Sequence, residues 1–340
     1  MRVSARMAAG LVWLACLSPQ ATAQRTEPLR FTDVTRESGV AFVHENSPTT
    51  QKYLIETMGG GVAVLDYDGD GRLDIFFTNG AELQDPMPPG VAPDKKGPRF
   101  ANRLFHNDGE GTFSDMTDQA GLRGDRGYGM GVAVGDYDND GAPDLYVTGY
   151  GGNVLYHNDG HGHFTDVTLR SGTAASGWST SAGFFDYDND GRLDLFVCRY
   201  LDWSFANNVY CGERRPGYRE YCHPRSFKGA TNVLFRNNGD GTFTDISEKT
   251  GLTRFVGKAL GVAFADYDGD GRTDIYVAND SEPGLLLRRD DLGRLTDAAL
   301  SAGVAVNEEG LAVAGMGTDF ADYDNDALPD IFVTALSGDS

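Results

Sequence analysis

The pattern Asp-x-Asp-x-Asp-x-x-x-Asp occurs five times in this chain. It reads DYDGDGRLD at Asp66–Asp74, DYDNDGAPD at Asp136–Asp144 and DYDNDGRLD at Asp186–Asp194, then DYDGDGRTD at Asp266–Asp274 and DYDNDALPD at Asp322–Asp330. Carboxylates packed this closely repel one another, so each loop needs a cation or abundant water to stay folded. In every copy the last aspartate runs straight into an apolar stretch such as DLYVT (Asp144–Thr148) or DIYVA (Asp274–Ala278). The loop is therefore anchored to a strand, and its recurrence makes this a repeat protein.

Aligned on the aspartates, each unit holds four apolar segments. A glycine-led strand enters the loop, as in GMGVAVGD (Gly129–Asp136) or ALGVAFAD (Ala259–Asp266), and the second strand leaves it. The third is NVLYHNDG at Asn153, paralleled by NRLFHNDG at Asn102 and NVLFRNNG at Asn232. The fourth is FTDVT at Phe164, paralleled by FSDMT at Phe113 and FTDIS at Phe243. The Asn-Asp-Gly or Asn-Asn-Gly between third and fourth segments is hairpin-turn chemistry, because these residues tolerate positive φ. Four short strands in a period of about 50 residues are the signature of propeller blades. The fold class expected is all-β, a β-propeller of four-stranded blades.

The loops begin 70, 50, 80 and 56 residues apart. With 50 as the bare unit, about 20 residues are inserted after the first loop and about 30 after the third. The first insert is the proline-rich DPMPPGVAPDKKGP from Asp85; the second is YCGERRPGYREYCHP, from Tyr210 to Pro224. Both are expected on one face of the ring. Cys211 and Cys222 are expected to be bridged, closing a small loop, with Cys198 a buried free thiol on an apolar strand. Their spacing with His223 matches no standard zinc pattern.

The 340-residue chain carries a formal charge of −21, which argues against nucleic acid, since phosphate binding needs a basic face, and against anionic membranes. Twenty of its 50 acidic residues lie in the five loops. Arg2 and Arg6, the apolar run Met7–Leu17 and the small-x-small site Ala21-Thr22-Ala23 read as a secretory signal peptide over 1–23. Export to the periplasm or extracellular space follows, with the propeller domain over 24–340. Trp13 argues against lipidation at Cys16, and no later apolar run approaches the ~20 residues of a membrane span.

Loops that alternate acidic residues present oxygens to calcium, which takes about 6–8 such ligands. In the first loop the expected ligands are the carboxylates of Asp66, Asp68, Asp70 and Asp74, with the carbonyl of Arg72 between them. Equivalent sets are Asp136, Asp138, Asp140, Ala142 and Asp144; then Asp186, Asp188, Asp190, Arg192 and Asp194. The fourth and fifth are Asp266, Asp268, Asp270, Arg272 and Asp274, and Asp322, Asp324, Asp326, Leu328 and Asp330. These are not EF-hands: that loop needs a twelfth-position glutamate, and here the position holds Phe77, Val147, Val197, Val277 or Val333, all in strand sequence. The fifth loop has Ala327 where the others have glycine, so it is expected to be the weakest of about five calcium sites.

The loop pattern within blade-length units resembles the FG-GAP/VCBS repeats of integrin-α-type propellers. YGMGVAVGDYDNDGAPDLYVT (Tyr128–Thr148) and FTDVT are similar to phrases of secreted bacterial cartilage-acidic-protein-like proteins, a group often carrying an ASPIC/UnbV segment. The resemblance covers residues 31–336 and implies a calcium-binding, usually seven-bladed propeller acting as an extracellular binding or adhesion scaffold. FTDVT at Phe31–Thr35 reads as a fourth-segment strand placed to complete another blade at ring closure, and the chain reads as an incomplete propeller.

Two functions follow from different classes. One is a non-enzymatic, monomeric scaffold whose inserts and blade-edge loops bind an extracellular protein or glycan. The other is a calcium-dependent polysaccharide lyase or hydrolase, which needs a base beside the metal. The loops are filled by their own aspartates, which favours the scaffold and leaves no catalytic residue to name.

Overall fold

A computed structural model describes residues 30–336, so the signal-peptide reading at 1–23 and Cys16 lie outside the described residues. The chain from Thr35 onward forms one compact unit. It contains four antiparallel four-stranded sheets in which each blade strand pairs with the next in sequence. Blade one uses Val62–Leu65, Asp74–Phe77, Arg103–Gly109 and Thr112–Asp115, and blade two Tyr128–Gly135, Asp144–Tyr150, Val154–Asn158 and Phe164–Asp166. Blade three uses Ser179–Phe185, Asp194–Arg199, Val233–Asn237 and Phe243–Asp245, and blade four Ala259–Ala265, Asp274–Asn279, Leu285–Arg289 and Leu295–Asp297. A two-stranded sheet that carries the fifth loop pairs Gly315–Ala321 with Asp330–Ala335. The arrangement is the expected propeller architecture.

One register recurs throughout. Leu65 faces Asp74, Gly135 faces Asp144, Phe185 faces Asp194, Ala265 faces Asp274 and Ala321 faces Asp330. Each acidic loop therefore closes a hairpin whose last aspartate is already a strand residue, which fixes where that carboxylate points.

Second strands explain the packing between blades. Side chains alternate across a strand, and here both faces are covered, so the sequence is nearly continuously apolar. In blade two, Leu145 and Val147 join Phe76 and Leu104 of blade one, whereas Tyr146 joins Leu195, Val197 and Phe235 of blade three. Blade three repeats this, with Phe196 facing Ile275 and Val277 of blade four.

First strands of successive blades lie side by side. A Cβ at Gly131 would stand 2.5 Å from Thr180 O, so only glycine permits that approach. Threonines bridge neighbouring blades here: Thr78 Oγ1 donates to Met130 O at 2.6 Å and Thr148 Oγ1 to Thr180 O at 2.7 Å. Cys198 occupies the same position in blade three, with its Sγ 3.9 Å from Gly261 O. That is why a free thiol lies buried there. Asn158 and Asn237 add bridges nearer the loops, donating to Tyr67 O at 2.8 Å and Tyr137 O at 2.7 Å.

Cys211 and Cys222 are disulfide-bonded, as expected. The inserts share one hydrophobic cluster, in which Met87 of the first and Cys222 of the second join the flanking Leu83, Tyr200, Trp203 and Phe227 around Tyr53 and Trp178. One reading is corrected. Phe31–Val34 is not a strand, and Thr35–Ser38 is a helical turn. Elsewhere this motif is a strand because a third strand pairs with it, as Asn158 pairs with Phe164. Among the described residues no such ladder holds Phe31–Val34. No helix among the described residues is long and apolar enough to cross a membrane.

Candidate metal centres

Each aspartate of the loop has its own task. The first folds the loop: Asp66 Oδ1 accepts from the backbone amides of Gly69 and Asp70, and Oδ2 accepts from Gly71, all within 2.8–3.0 Å. Asp136, Asp186, Asp266 and Asp322 accept the matching amides of the fourth and fifth following residues. The third aspartate holds the next turn, as where Asp70 Oδ1 accepts from Arg72 N at 2.8 Å. Short Asp side chains form such turns because they reach backbone donors two residues on.

The last aspartate is the buried one. Asp74, Asp144, Asp194 and Asp274 are at most 1% exposed. In blade two, Asp144 Oδ2 accepts from Tyr137 N at 3.1 Å and Oδ1 from Asn158 N at 2.8 Å, joining loop entry to third strand. Asp74 and Asp194 do the same with Tyr67 and Asn107, and with Tyr187 and Asn237. Asp330 keeps the bond to Tyr323 N at 3.0 Å but is only partly buried.

Ligand-type atoms converge within the first three loops. One oxygen each from Asp66, Asp68 and Asp70 lie within 4.8 Å of one another, as do those of Asp136, Asp138 and Asp144, and of Asp186, Asp188 and Asp194. Burial pushes the Asp144 carboxyl up to about 8, backbone donors from Asn158 and Tyr137 oppose this, and the charges of Asp138 and Asp140 add to it. Asp194 and Asp274 are pushed up to about 6, again chiefly by burial. Burial among like charges disfavours the anion, and a cation beside the carboxylate favours it. Asp68 Oδ1 and Asp188 Oδ1 are shielded from solvent without a hydrogen-bond donor. An all-oxygen set of this kind fits a hard dication such as calcium.

Sequence reasoning missed a residue that stands over each of the first four loops. His106 Nδ1 lies 3.4 Å from Asp68 Oδ2 and 3.2 Å from Asp74 Oδ1. His157 Nδ1 is 3.3 Å from both Asp138 and Asp144. In blades three and four the position holds arginine: Arg236 Nε is 2.7 Å from Asp188, and Arg288 pairs with Asp268. The signal was present as the residue before Asn in LFHN, LYHN and LFRN, but only the third-strand register shows that it faces the loop.

Ala327 occupies the conformation of the glycine it replaces, with φ 69° against 86° at Gly71 and 93° at Gly141. Its amide still donates to Asp322 Oδ2, at 3.0 Å. The fifth loop is thus folded like the others, with backbone strain where glycine has none.

Fold and loops together define a β-propeller built of blades with an acidic hairpin between first and second strands. The chain belongs to the FG-GAP-like repeat family, whose model matches residues 90–147, 136–197, 226–277 and 268–333. It is 27% identical over 285 residues to cartilage acidic protein 1 of Xenopus tropicalis, a match covering 82% of this chain and 39% of that protein. The human cartilage acidic protein 1 is also 27% identical, over 237 residues, covering 66% of this chain and 31% of that protein. The chain thus spans well under half the length of these relatives. Among solved structures, it is similar to a rhamnogalacturonan lyase of Bacillus licheniformis, with 14% identity and a TM-score of 0.38 over 81% of this chain and 55% of that one.

Proposed function

We propose that this protein is an exported, calcium-binding propeller that serves as a binding scaffold for an extracellular glycan or protein. The observation that carries the reading is the repeated cage in which a buried aspartate, such as Asp144, is held by two backbone amides beside partly shielded carboxylates. Calcium supplies the positive charge these oxygens lack. The chain's own residues do the rest: the first aspartate folds the loop, the second and third present oxygens, and the last ties the loop to the third strand. The leader pattern at 1–23 and the Cys211–Cys222 bridge support export, because such bridges persist in oxidising compartments. The scaffold, not a catalytic centre, is favoured because the bases beside the loops, His106 and His157, lie against the loop aspartates with side chains only 17% and 25% exposed and do not stand open in a cleft.

Calcium that binds the folded loops and not the unfolded chain stabilises the fold. At ten times a site's dissociation constant the gain is about 1.4 kcal/mol per site, so five sites give roughly 7 kcal/mol. That is comparable with the whole net stability of a domain, about 5–15 kcal/mol. Calorimetric titration of demetallated protein is expected to show about five calcium ions bound, and chelation is expected to lower the melting temperature sharply. A melting curve unchanged by chelator, with metal loss confirmed by elemental analysis, sinks the proposal.

A further inference from the structure

The second insert reverses the charge of the molecule around it. Residues 209–228 carry Arg214, Arg215, Arg219, Arg225 and Lys228 against only Glu213 and Glu220, in a chain of net charge −21. The Cys211–Cys222 bridge and the Cys211↔Glu220, Gly212↔Arg219 pairing hold this segment as a hairpin. Its arginines are interleaved with exposed rings: Arg215 stacks 3.4 Å from the centroid of Tyr218, while Arg214 and Arg219 lie 5.9 and 5.1 Å from that of Tyr210. Tyr210 and Tyr218 remain 39% and 47% exposed.

Tyr210, Arg214, Arg215 and Arg219 line a shallow depression of about 540 Å³, completed by Thr50 and Gln51. Its cationic groups are incompletely used. Arg215 pairs with Glu213, at 2.8 Å. Arg214 has no carboxylate within ion-pair reach among the described residues. Arg219 donates to Gln51 Oε1 at 2.5 Å, yet its Nε is shielded from solvent with no partner. Asp85 is the acid beside this wall, and its carboxylate is already occupied by Thr50 N and Oγ1, at 2.6 and 2.8 Å.

We infer that this disulfide-clamped arginine–tyrosine hairpin binds an acidic polysaccharide through the carboxylates of its uronic acid residues. The inference rests on the scaffold reading and names the partner class. A guanidinium recognises a carboxylate through paired N–H donors, and stacking on tyrosine holds its plane in place before binding. The exposed part of the Tyr210 ring, which lines the depression, suits the C–H face of a sugar ring, whereas an acidic peptide such as polyglutamate offers no such flat surface. A polyanion is repelled by the acidic blades and drawn to this one patch, so the field of the whole protein directs it here.

The experiment measures binding of the calcium-loaded full chain to hyaluronan hexasaccharide, a uronate-bearing probe, with heparin hexasaccharide, neutral dextran and polyglutamate in parallel. Hyaluronan is expected to bind, and its dissociation constant to rise at least tenfold in the Arg214→Gln/Arg215→Gln variant and about fivefold between 50 and 300 mM salt. Arg214→Lys/Arg215→Lys should recover part of the loss, and Arg254→Gln, in the turn between blades three and four, should change nothing. Melting curves of each variant check folding. Heparin or polyglutamate binding without hyaluronan overturns the uronate assignment. Hyaluronan binding that ignores the Arg214→Gln/Arg215→Gln change overturns the hairpin site while leaving the scaffold reading intact. Normal calcium titration with no hyaluronan bound overturns the inference, and absent calcium binding overturns the reading beneath it.

Discussion

Replacing Gly141 by alanine in the second loop, and Ala327 by glycine in the fifth, isolates backbone strain from side-chain contact. A Cβ added at Gly141 meets nothing within 4 Å, so the substitution acts only through the conformation at φ 93°. An L-residue in the left-handed region costs about 1–2 kcal/mol. Alanine returns about 0.4–1 kcal/mol by restricting the unfolded chain. Gly141→Ala should therefore lower the unfolding free energy by about 1 kcal/mol, and Ala327→Gly should raise it by about 0.5–1 kcal/mol. Both loops keep the amide bond to the first aspartate, at 2.9 Å from Gly141 N and 3.0 Å from Ala327 N, so hydrogen bonding is matched between them. Urea unfolding at saturating calcium, followed by intrinsic fluorescence, reads the difference as a midpoint shift at constant slope. Unchanged stability in Gly141→Ala, or a less stable Ala327→Gly, would refute the claim that this turn is a strained position that glycine relieves.

Three further outcomes are expected. Thr148→Val leaves both Thr180 O and Gly131 N without the partner they have at 2.7 and 2.8 Å, and urea titration should show a loss of about 2–4 kcal/mol. Lys95 is buried in the first insert with Nζ donating to Gly80 O at 2.9 Å, and burial pushes its ammonium down to about 7 from 10.5. Between those values the unfolded chain binds the extra proton, so stability should rise with pH through that window by at most about 1.4 kcal/mol per unit. Lys95→Met should flatten the rise relative to wild type in melts at pH 7, 8 and 9. Arg236→Gln removes a fixed positive charge 2.7 Å from Asp188, so calorimetry should find calcium binding at the third loop tightened, by about tenfold. A weaker third site would mean that Arg236 organises the loop instead of competing with the cation.

Local pattern carried the acidic loops, the hairpin turns and the four-strand unit. An Asp-rich hairpin depends on contacts a few residues apart, such as Asp136 with Gly141 N, and those are written in consecutive residues. The disulfide was equally legible, because Cys211 and Cys222 close a loop of short separation in a segment with no competing thiol. Phe31–Val34 shows where pattern fails: FTDVT is a strand only when a third strand is there to pair with it.

What lay beyond the sequence were the contacts made between blades and between inserts. That His106 and His157 stand over two loops, and Arg236 and Arg288 over two others, follows from third-strand register in three dimensions. Cys198 looked like a strand residue; only the approach of blade four reveals that it fills the position where Thr78 and Thr148 bridge blades. Lys95, in the proline-rich first insert, is buried because that insert folds back onto the carbonyls of Asn79 and Gly80. The two inserts, 110 or more residues apart in the chain, reach one hydrophobic cluster through Met87 and Cys222 because the sheets bring them to the same side. Period and turn chemistry are short-range and survive in one dimension, whereas burial and charge pairing are sums over neighbours that exist only once the blades have packed.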